Sequence, residues 1–564
     1  MKFSQMEYHR IDLEAVKTRF DELLRAMEQT LDFEQHYGLF MDMQALNDHN
    51  STMATLASIR QSVNTLDPFY KDESDYIDEI SPELQAMGIR LAEHLLESDL
   101  LPEYENKLGK HYFEKLRLQK KTFDPAIMGD LAEENKLATQ YERLMGGAQV
   151  EFRGQVYTLS GLGTFLEDPD RSTRQAAAEA SWGFMQANQS ELDDIYDKLV
   201  KIRHKMARKL GYENFIQMGY DRYGRTDYDH EDVARFRAGI VSHVVPLAEQ
   251  GFAEQKDRLG LDELTYYDVP FRFRSGNPKP QGDKDFMVNQ AIRMYDELSP
   301  ETSQFFRLMV DNELLDLEQK PGKMPGGYCT FIDDHSMPFI FSNFNGTSGD
   351  VDVLTHEFGH AFQVYTARDQ IADLRWPGME AAEIHSMGME YIAYPWMEQF
   401  FGKDTEKYFY DHNVSNIAFL PYGALVDHFQ HWVYANPDVT ARERRAKWRE
   451  LEQIYNPWVD YQTNDYLNAG GRWQKQGHIY SAPFYYIDYC LAQICAMQIF
   501  KRSREDRQKL WDDYVAICRV GGSLPFTEIL QVGNFSNPFD QTVVQESISA
   551  LSDYLASVDR SVIS

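Results

Sequence analysis

The stretch Asp352-Val-Leu-Thr-His356-Glu357-Phe-Gly-His360-Ala-Phe362 decides how the rest of the chain is read. Val353, Leu354, Phe358, Ala361, Phe362 and Tyr365 recur at helical spacing, and Ser348 or Asp350 can cap the start, so the stretch reads as an α-helix. Residues four apart lie on one helical face. His356 and His360 can therefore turn ring nitrogens toward one point, at the roughly 2.0–2.1 Å typical of Zn–N bonds. Glu357 lies on the flank of that face, where a carboxylate can reach a water without being a ligand. Two ordinary helix histidines would give the same pattern. A metal centre needs a third ligand and a group for a developing oxyanion elsewhere in the chain.

Working outward, Pro338-Phe-Ile-Phe-Ser-Asn-Phe344 and Gly326-Gly-Tyr-Cys-Thr-Phe-Ile332 read as two strands joined by Asp333-Asp-His-Ser336, with Asn345-Gly346 closing the second. A strand ending beside a metal helix can offer a free edge to an extended peptide. That makes Phe339, Phe341, Asn343 and Gly346 candidate substrate contacts, although a hairpin that merely packs on the helix reads the same way.

After Trp376-Pro377-Gly378 a second helix begins, Met379-Glu380-Ala-Ala-Glu383-Ile-His385-Ser-Met-Gly-Met-Glu390. Glu380 and Glu383 share a face, and either can be the third ligand. Glu390, two turns beyond Glu383, suits an outer role holding a ligand histidine, and Asp352 is a second candidate for such a role. Asp427-His428-Phe-Gln-His431 is another histidine-bearing stretch, but its aromatic neighbours suggest a packed helix.

Composition narrows the class. A chain of 564 residues exceeds what one hydrophobic core supports, so at least two lobes are expected. The formal net charge of −32 opposes nucleic-acid and anionic-membrane binding. No run is apolar and long enough to span a membrane, the first residues do not read as a signal peptide, and the 4 cysteines form no CxxC pair, so a cytoplasmic location is expected. Residues 11–145 read as successive amphipathic helices that wall one side of a cleft, residues 150–159 as a hairpin, and 285–309 as one helix. The basic run Lys201-Ile-Arg-His-Lys-Met-Ala-Arg-Lys209 reads as a solvated helix face. The expected fold is mainly α, with an N-terminal helical lobe over 1–200, a catalytic lobe over 201–564, and a small sheet beside the metal helix.

At this point the residues carry a resemblance. His356-Glu-Phe-Gly-His360, followed 23 residues later by Glu383-Ile-His-Ser-Met-Gly-Met-Glu390, resembles the thimet-oligopeptidase group of M3-type zinc peptidases, and within it the oligoendopeptidase F branch. The likeness extends to residues 338–347, to His478-Ile-Tyr-Ser-Ala-Pro-Phe-Tyr-Tyr486-Ile-Asp-Tyr489, and to Gly521-Gly522. It implies Glu383 as third ligand of one Zn²⁺, Glu390 as its outer neighbour, and His478, Tyr486 and Tyr489 as oxyanion-side groups. Tyr485 is adjacent, so the register of the first tyrosine stays open. The resemblance also implies short peptides as substrates and a site buried in a deep channel between two lobes. A peptide-binding protein without activity, and a di-iron carboxylate oxidase built on Glu357-Phe-Gly-His360, are the alternatives; the latter lacks a second E-x-x-H. Oligomeric state is not legible.

Overall fold

The strongest local signals are caps and breaks, and they set the element boundaries in the computed structural model, which describes residues 1–563. The chain is 71 % helix and 4 % strand, so the mainly helical expectation holds. Six helices between Leu13 and Gly146 make the N-terminal wall, several of them capped by aspartates such as Asp12, Asp32 and Asp67. The hairpin β1 (Val150–Phe152) and β2 (Gln155–Tyr157) follows. Its two turn residues, Arg153 and Gly154, both have positive φ, as a two-residue hairpin turn requires. Residues 285–309, expected as one helix, are two: Lys284–Leu298 and Pro300–Asp311. Pro300 cannot continue the first helix, and Ser299 caps the second through the Thr302 amide at 3.1 Å.

A three-stranded sheet comes next, β3 (Leu315–Glu318), β4 (Tyr328–Ile332) and β5 (Met337–Phe344), in the order β3-β5-β4. The β4–β5 hairpin is as expected; β3, parallel to β5, is an addition. It overturns the free edge expected of 338–347, because β5 is the central strand and both of its edges are taken. Phe339 and Phe341 are buried; Phe339 packs on Phe3, and Phe341 stacks on Tyr328 at 4.8 Å. Asn343 donates to the carbonyls of Met324 and Gly326, and Gly346 donates to Asp350. These four residues hold the loop around the sheet, and the edge left open beside the metal helix is that of β4.

The half that carries the candidate metal ligands is built from helices α1 (Gly349–Thr366), α2 (Met379–Ile392), α3 (Thr405–Ala435) and α4 (Tyr486–Glu505). Every residue of α2 from Glu380 to Ile392 is buried, as befits a helix that packs against α1 on one side and α4 on another. Gly359, inside the His-Glu-Phe-Gly-His run, marks where α1 and α2 approach closest: a Cβ there would lie 2.3 Å from the His385 carbonyl oxygen. In the basic run at 201–209, Lys201, Lys205, Arg208 and Lys209 are exposed, as expected of a solvated face, and Arg203 is the exception. Arg203 is fully buried, donating to Glu134 at 2.5 Å, to Tyr434 at 2.8 Å and to the Tyr480 carbonyl at 2.6 Å. Lys205 and Lys209 both pair with Asp130. A cavity of about 700 Å³ lies between the N-terminal helices and the ligand-bearing half, with Glu134, Arg203, Arg222, Asp373 and Ser481 in its walls.

Candidate metal centre

The register of α1 brings His356 and His360 to one side of the helix, and α2 crosses so that Glu383 meets both. Glu383 Oε2 lies 3.3 Å from His356 Nε2 and 3.2 Å from His360 Nε2. These separations are longer than a charged N–H···O bond, which runs to roughly 2.7–2.9 Å. They match the spacing between donors on a tetrahedral ion with bonds of roughly 2.0–2.1 Å, about 3.3–3.4 Å apart. Among the described residues, His356, His360 and Glu383 form the one histidine, cysteine and carboxylate cluster with metal-ligand spacing. Two imidazoles and one carboxylate suit Zn²⁺ with an open position, so the residues present fit the metal.

The groups behind the candidate ligands are hydrogen-bonded in the manner that metal ligands require. His356 Nδ1 donates to Glu390 Oε1 at 2.7 Å, a true hydrogen bond beside the longer ligand–ligand contacts. Glu383 is held from both sides: Ser386 donates to Oε2 at 2.7 Å, and Tyr485 donates to Oε1 at 2.5 Å. Glu380, the rival for the third position, is buried away from the cluster, where burial raises its pKa and Arg225 opposes the shift. Asp352 does not touch a ligand; it accepts from Tyr408 at 2.7 Å. Asp350, expected as a cap of α1, accepts instead from the amides of Asn345 and Gly346 and so ties the end of β5 to the helix.

Glu357 is buried beside the cluster. Its Oε2 has no protein partner, and burial pushes its carboxyl pKa up against the opposing pull of the two histidines. A Cβ at Gly327 would come within 3.3 Å of Glu357 Oε1, so this glycine, just ahead of β4, lies against the carboxylate.

Residues 164–547 match the model of Peptidase family M3, and residues 3–123 match that of the Peptidase M3 N-terminal domain. The chain belongs to Peptidase family M3. A solved structure of PZ peptidase A with an inhibitor is 46 % identical and superposes with a TM-score of 0.98, covering 99 % of this chain and 100 % of that one. Group B oligopeptidase PepB of Streptococcus agalactiae is 22 % identical over 365 residues, 62 % of this chain and 58 % of its own. Oligopeptidase PepF of Bacillus subtilis is 20 % identical over 380 residues, 63 % of this chain and 55 % of its own. The matches thus span a little over half the length of these two relatives.

In this M3 chain the C-terminal His/Tyr segment faces the cluster with a register one residue from the expected one. Tyr485, not Tyr486, reaches Glu383. Tyr486 turns toward Phe419 and Tyr422. Tyr489 stacks on Tyr485 at 5.0 Å and lies 3.3 Å from His478 Nε2. Burial lowers the His478 pKa to about 4, only partly offset by Glu383, so its imidazole is neutral at pH 7 and supplies no cation. Gln476 accepts from Tyr422 at 3.0 Å through its oxygen, and its nitrogen faces His478 Nδ1 at 2.9 Å. Nδ1 is then an acceptor, and Nε2–H points at the Tyr489 oxygen. The Tyr489 hydroxyl also meets that of Tyr485, whose own proton goes to Glu383. His428 and His431 are no ligand site: His428 contacts Tyr455, and Asp427 pairs with Arg237.

Two groups escape a reading of the sequence. His412 and Tyr394 stand behind Glu390, and nothing in their local pattern sets them apart from packed aromatic helix residues; only the fold brings them there.

Proposed function

We propose that this M3 chain is a zinc endopeptidase that hydrolyses internal bonds of short peptides. The observation that carries the reading is the convergence of His356, His360 and Glu383 on one point, with the buried and unpartnered Glu357 oxygen beside it. His356, His360 and Glu383 would hold the ion, which supplies Lewis acidity for the peptide carbonyl and the attacking water. Glu357 takes the proton of that water and returns one to the leaving amine. The Tyr489 hydroxyl, turning from Tyr485, donates to the carbonyl oxygen as it becomes anionic, in a setting that excludes most water. The open edge of β4, which enters beside Glu357, aligns the substrate backbone.

The test is cleavage of an internally quenched nonapeptide by the full chain. Activity removed by chelator, restored by Zn²⁺ and abolished in Glu357→Gln is expected. Cleavage that survives Glu357→Gln would end this mechanism; zinc binding without any cleavage would favour a peptide-binding protein instead.

A further inference from the structure

The geometry points to a positioning role for His412 and Tyr394, which together fix the protons around Glu390 and thereby hold His356 in the tautomer that leaves Nε2 bare. This rests on the zinc reading above.

A proton count around α3 carries the argument. Asn413 Nδ2 donates to the main-chain carbonyl of Phe409 at 2.7 Å, and a carbonyl can only accept, so the amide has one orientation. The other N–H of that nitrogen meets the Tyr394 oxygen at 3.1 Å. The proton of Tyr394 then goes to its remaining partner, His412 Nδ1, at 2.6 Å. Asn416 Nδ2 approaches the same ring nitrogen at 3.3 Å. Nδ1 of His412 therefore faces donors and is bare. A doubly protonated ring would present a third donor to this group and leave the Tyr394 proton without an acceptor among these partners.

The one proton of the His412 ring sits on Nε2, which donates to Glu390 Oε2 at 2.8 Å. With that oxygen engaged, Oε1 accepts from His356 Nδ1 at 2.7 Å. Nε2 of His356 is left as a lone pair aimed at the point shared with His360 and Glu383. The centre of the relay is buried, at His412, Asn413 and Glu390, and Tyr394 at its outer end is half-buried. Both oxygens of Glu390 are pinned from opposite sides, so the carboxylate cannot rotate and the ligand ring cannot flip. His360 has no such support, since its Nδ1 has no hydrogen-bond partner. His356 is the anchored ligand of the pair, and its anchor runs through His412 to Tyr394.

The test is Zn²⁺ affinity of the full chain, by competition with a chelator of known strength, for wild type, His412→Leu, His412→Gln and Tyr394→Phe. Removing an outer partner of a metal ligand typically costs 10–100-fold in affinity, so His412→Leu is expected to bind zinc on the order of 10-fold more weakly. His412→Gln, which can still offer an N–H to Glu390, should recover part of that loss. Tyr394→Phe removes one hydrogen bond with little change of shape and should weaken binding about fivefold. The visible spectrum of the Co²⁺-loaded protein should shift in the same order, which a merely structural role would not produce. Unchanged zinc affinity in a folded His412→Leu, judged by the melting of the metal-free protein, overturns the proposal. Should that variant fail to fold, unchanged affinity in Tyr394→Phe does so. A wild-type chain that binds no zinc overturns the metal reading itself.

Discussion

Tyr485 donates its hydroxyl to Oε1 of Glu383 across 2.5 Å, which makes this tyrosine a support of the proposed third ligand and not a free donor to substrate. Its neighbour in sequence, Tyr486, packs among Phe419 and Tyr422. Tyr485→Phe is therefore expected to weaken zinc binding by about 10-fold, in the range typical of lost outer-shell contacts, while Tyr486→Phe leaves affinity within about twofold of wild type. Chelator competition on the two variants checks this, and the reverse order would return the first tyrosine to position 486.

Tyr489 carries the other half of that assignment. With His478 neutral and donating, and Tyr485 engaged with Glu383, Tyr489 is the remaining hydroxyl of the segment that can turn to a substrate. Tyr489→Phe should lower kcat by roughly 10²–10³ with little change in zinc content, as expected when a single oxyanion donor is lost. Steady-state kinetics on a short quenched peptide, with zinc measured by elemental analysis on the same sample, separates the effect from metal loss.

Gly359 sits where the two ligand-bearing helices touch, and a Cβ added there would lie 2.3 Å from the His385 carbonyl oxygen. Gly359→Ala cannot be absorbed by a flexible side chain, since the obstacle is backbone. We expect destabilisation of at least about 1–3 kcal/mol and loss of zinc, because spreading α1 from α2 separates the histidines from Glu383. Thermal melting with and without Zn²⁺ should show a lower midpoint and a smaller metal-induced rise than in wild type.

Glu134 sets an acid limit to stability. Burial alone would raise its pKa, but the Arg222 and Arg203 guanidiniums outweigh burial and hold it at about 2, against an ordinary 4.5. A depressed carboxyl stabilises the fold above its unfolded value, and that stability is lost as pH falls from about 4.5 toward 2. The contribution is on the order of 3 kcal/mol. Glu134→Gln should be less stable than wild type at pH 7, with the gap closing progressively below pH 4.5. Urea midpoints measured from pH 7 to pH 3 on both proteins test the sign; a gap that widens on acidification would contradict it.

How much of this is legible in the sequence depends on whether the signal is local. The shared face of His356 and His360 follows from a four-residue spacing, and the β4–β5 hairpin from a polar turn between two apolar runs, so both can be read directly. The tyrosine register cannot. Between the short helix Gly477–Ser481 and α4 the backbone passes through Phe484 in a left-handed conformation, φ 71°, which resets the helical phase. Side-chain identities do not reveal that. Strand β3 is hard to see because four residues are too short a run of alternation to stand out, and β5 makes it a strand only through a parallel pairing. Arg203 looks like one cation of a solvated run because its partners Glu134, Tyr434 and Tyr480 lie 69, 231 and 277 residues away.

That last separation bears on when the protein can first act. Helix Met128–Gly146 is gripped by the segment that carries the proposed oxyanion donor: Tyr141 stacks on Tyr480 at 4.0 Å and donates to the Gln474 carbonyl at 3.1 Å. A ribosome must therefore have released residues beyond 480 before the wall formed by the first helices can close on the ligand-bearing half. Until then the nascent chain has its proposed metal ligands but lacks Tyr485 and Tyr489. In a chain arranged in this way the proposed site stays incomplete through most of its own synthesis.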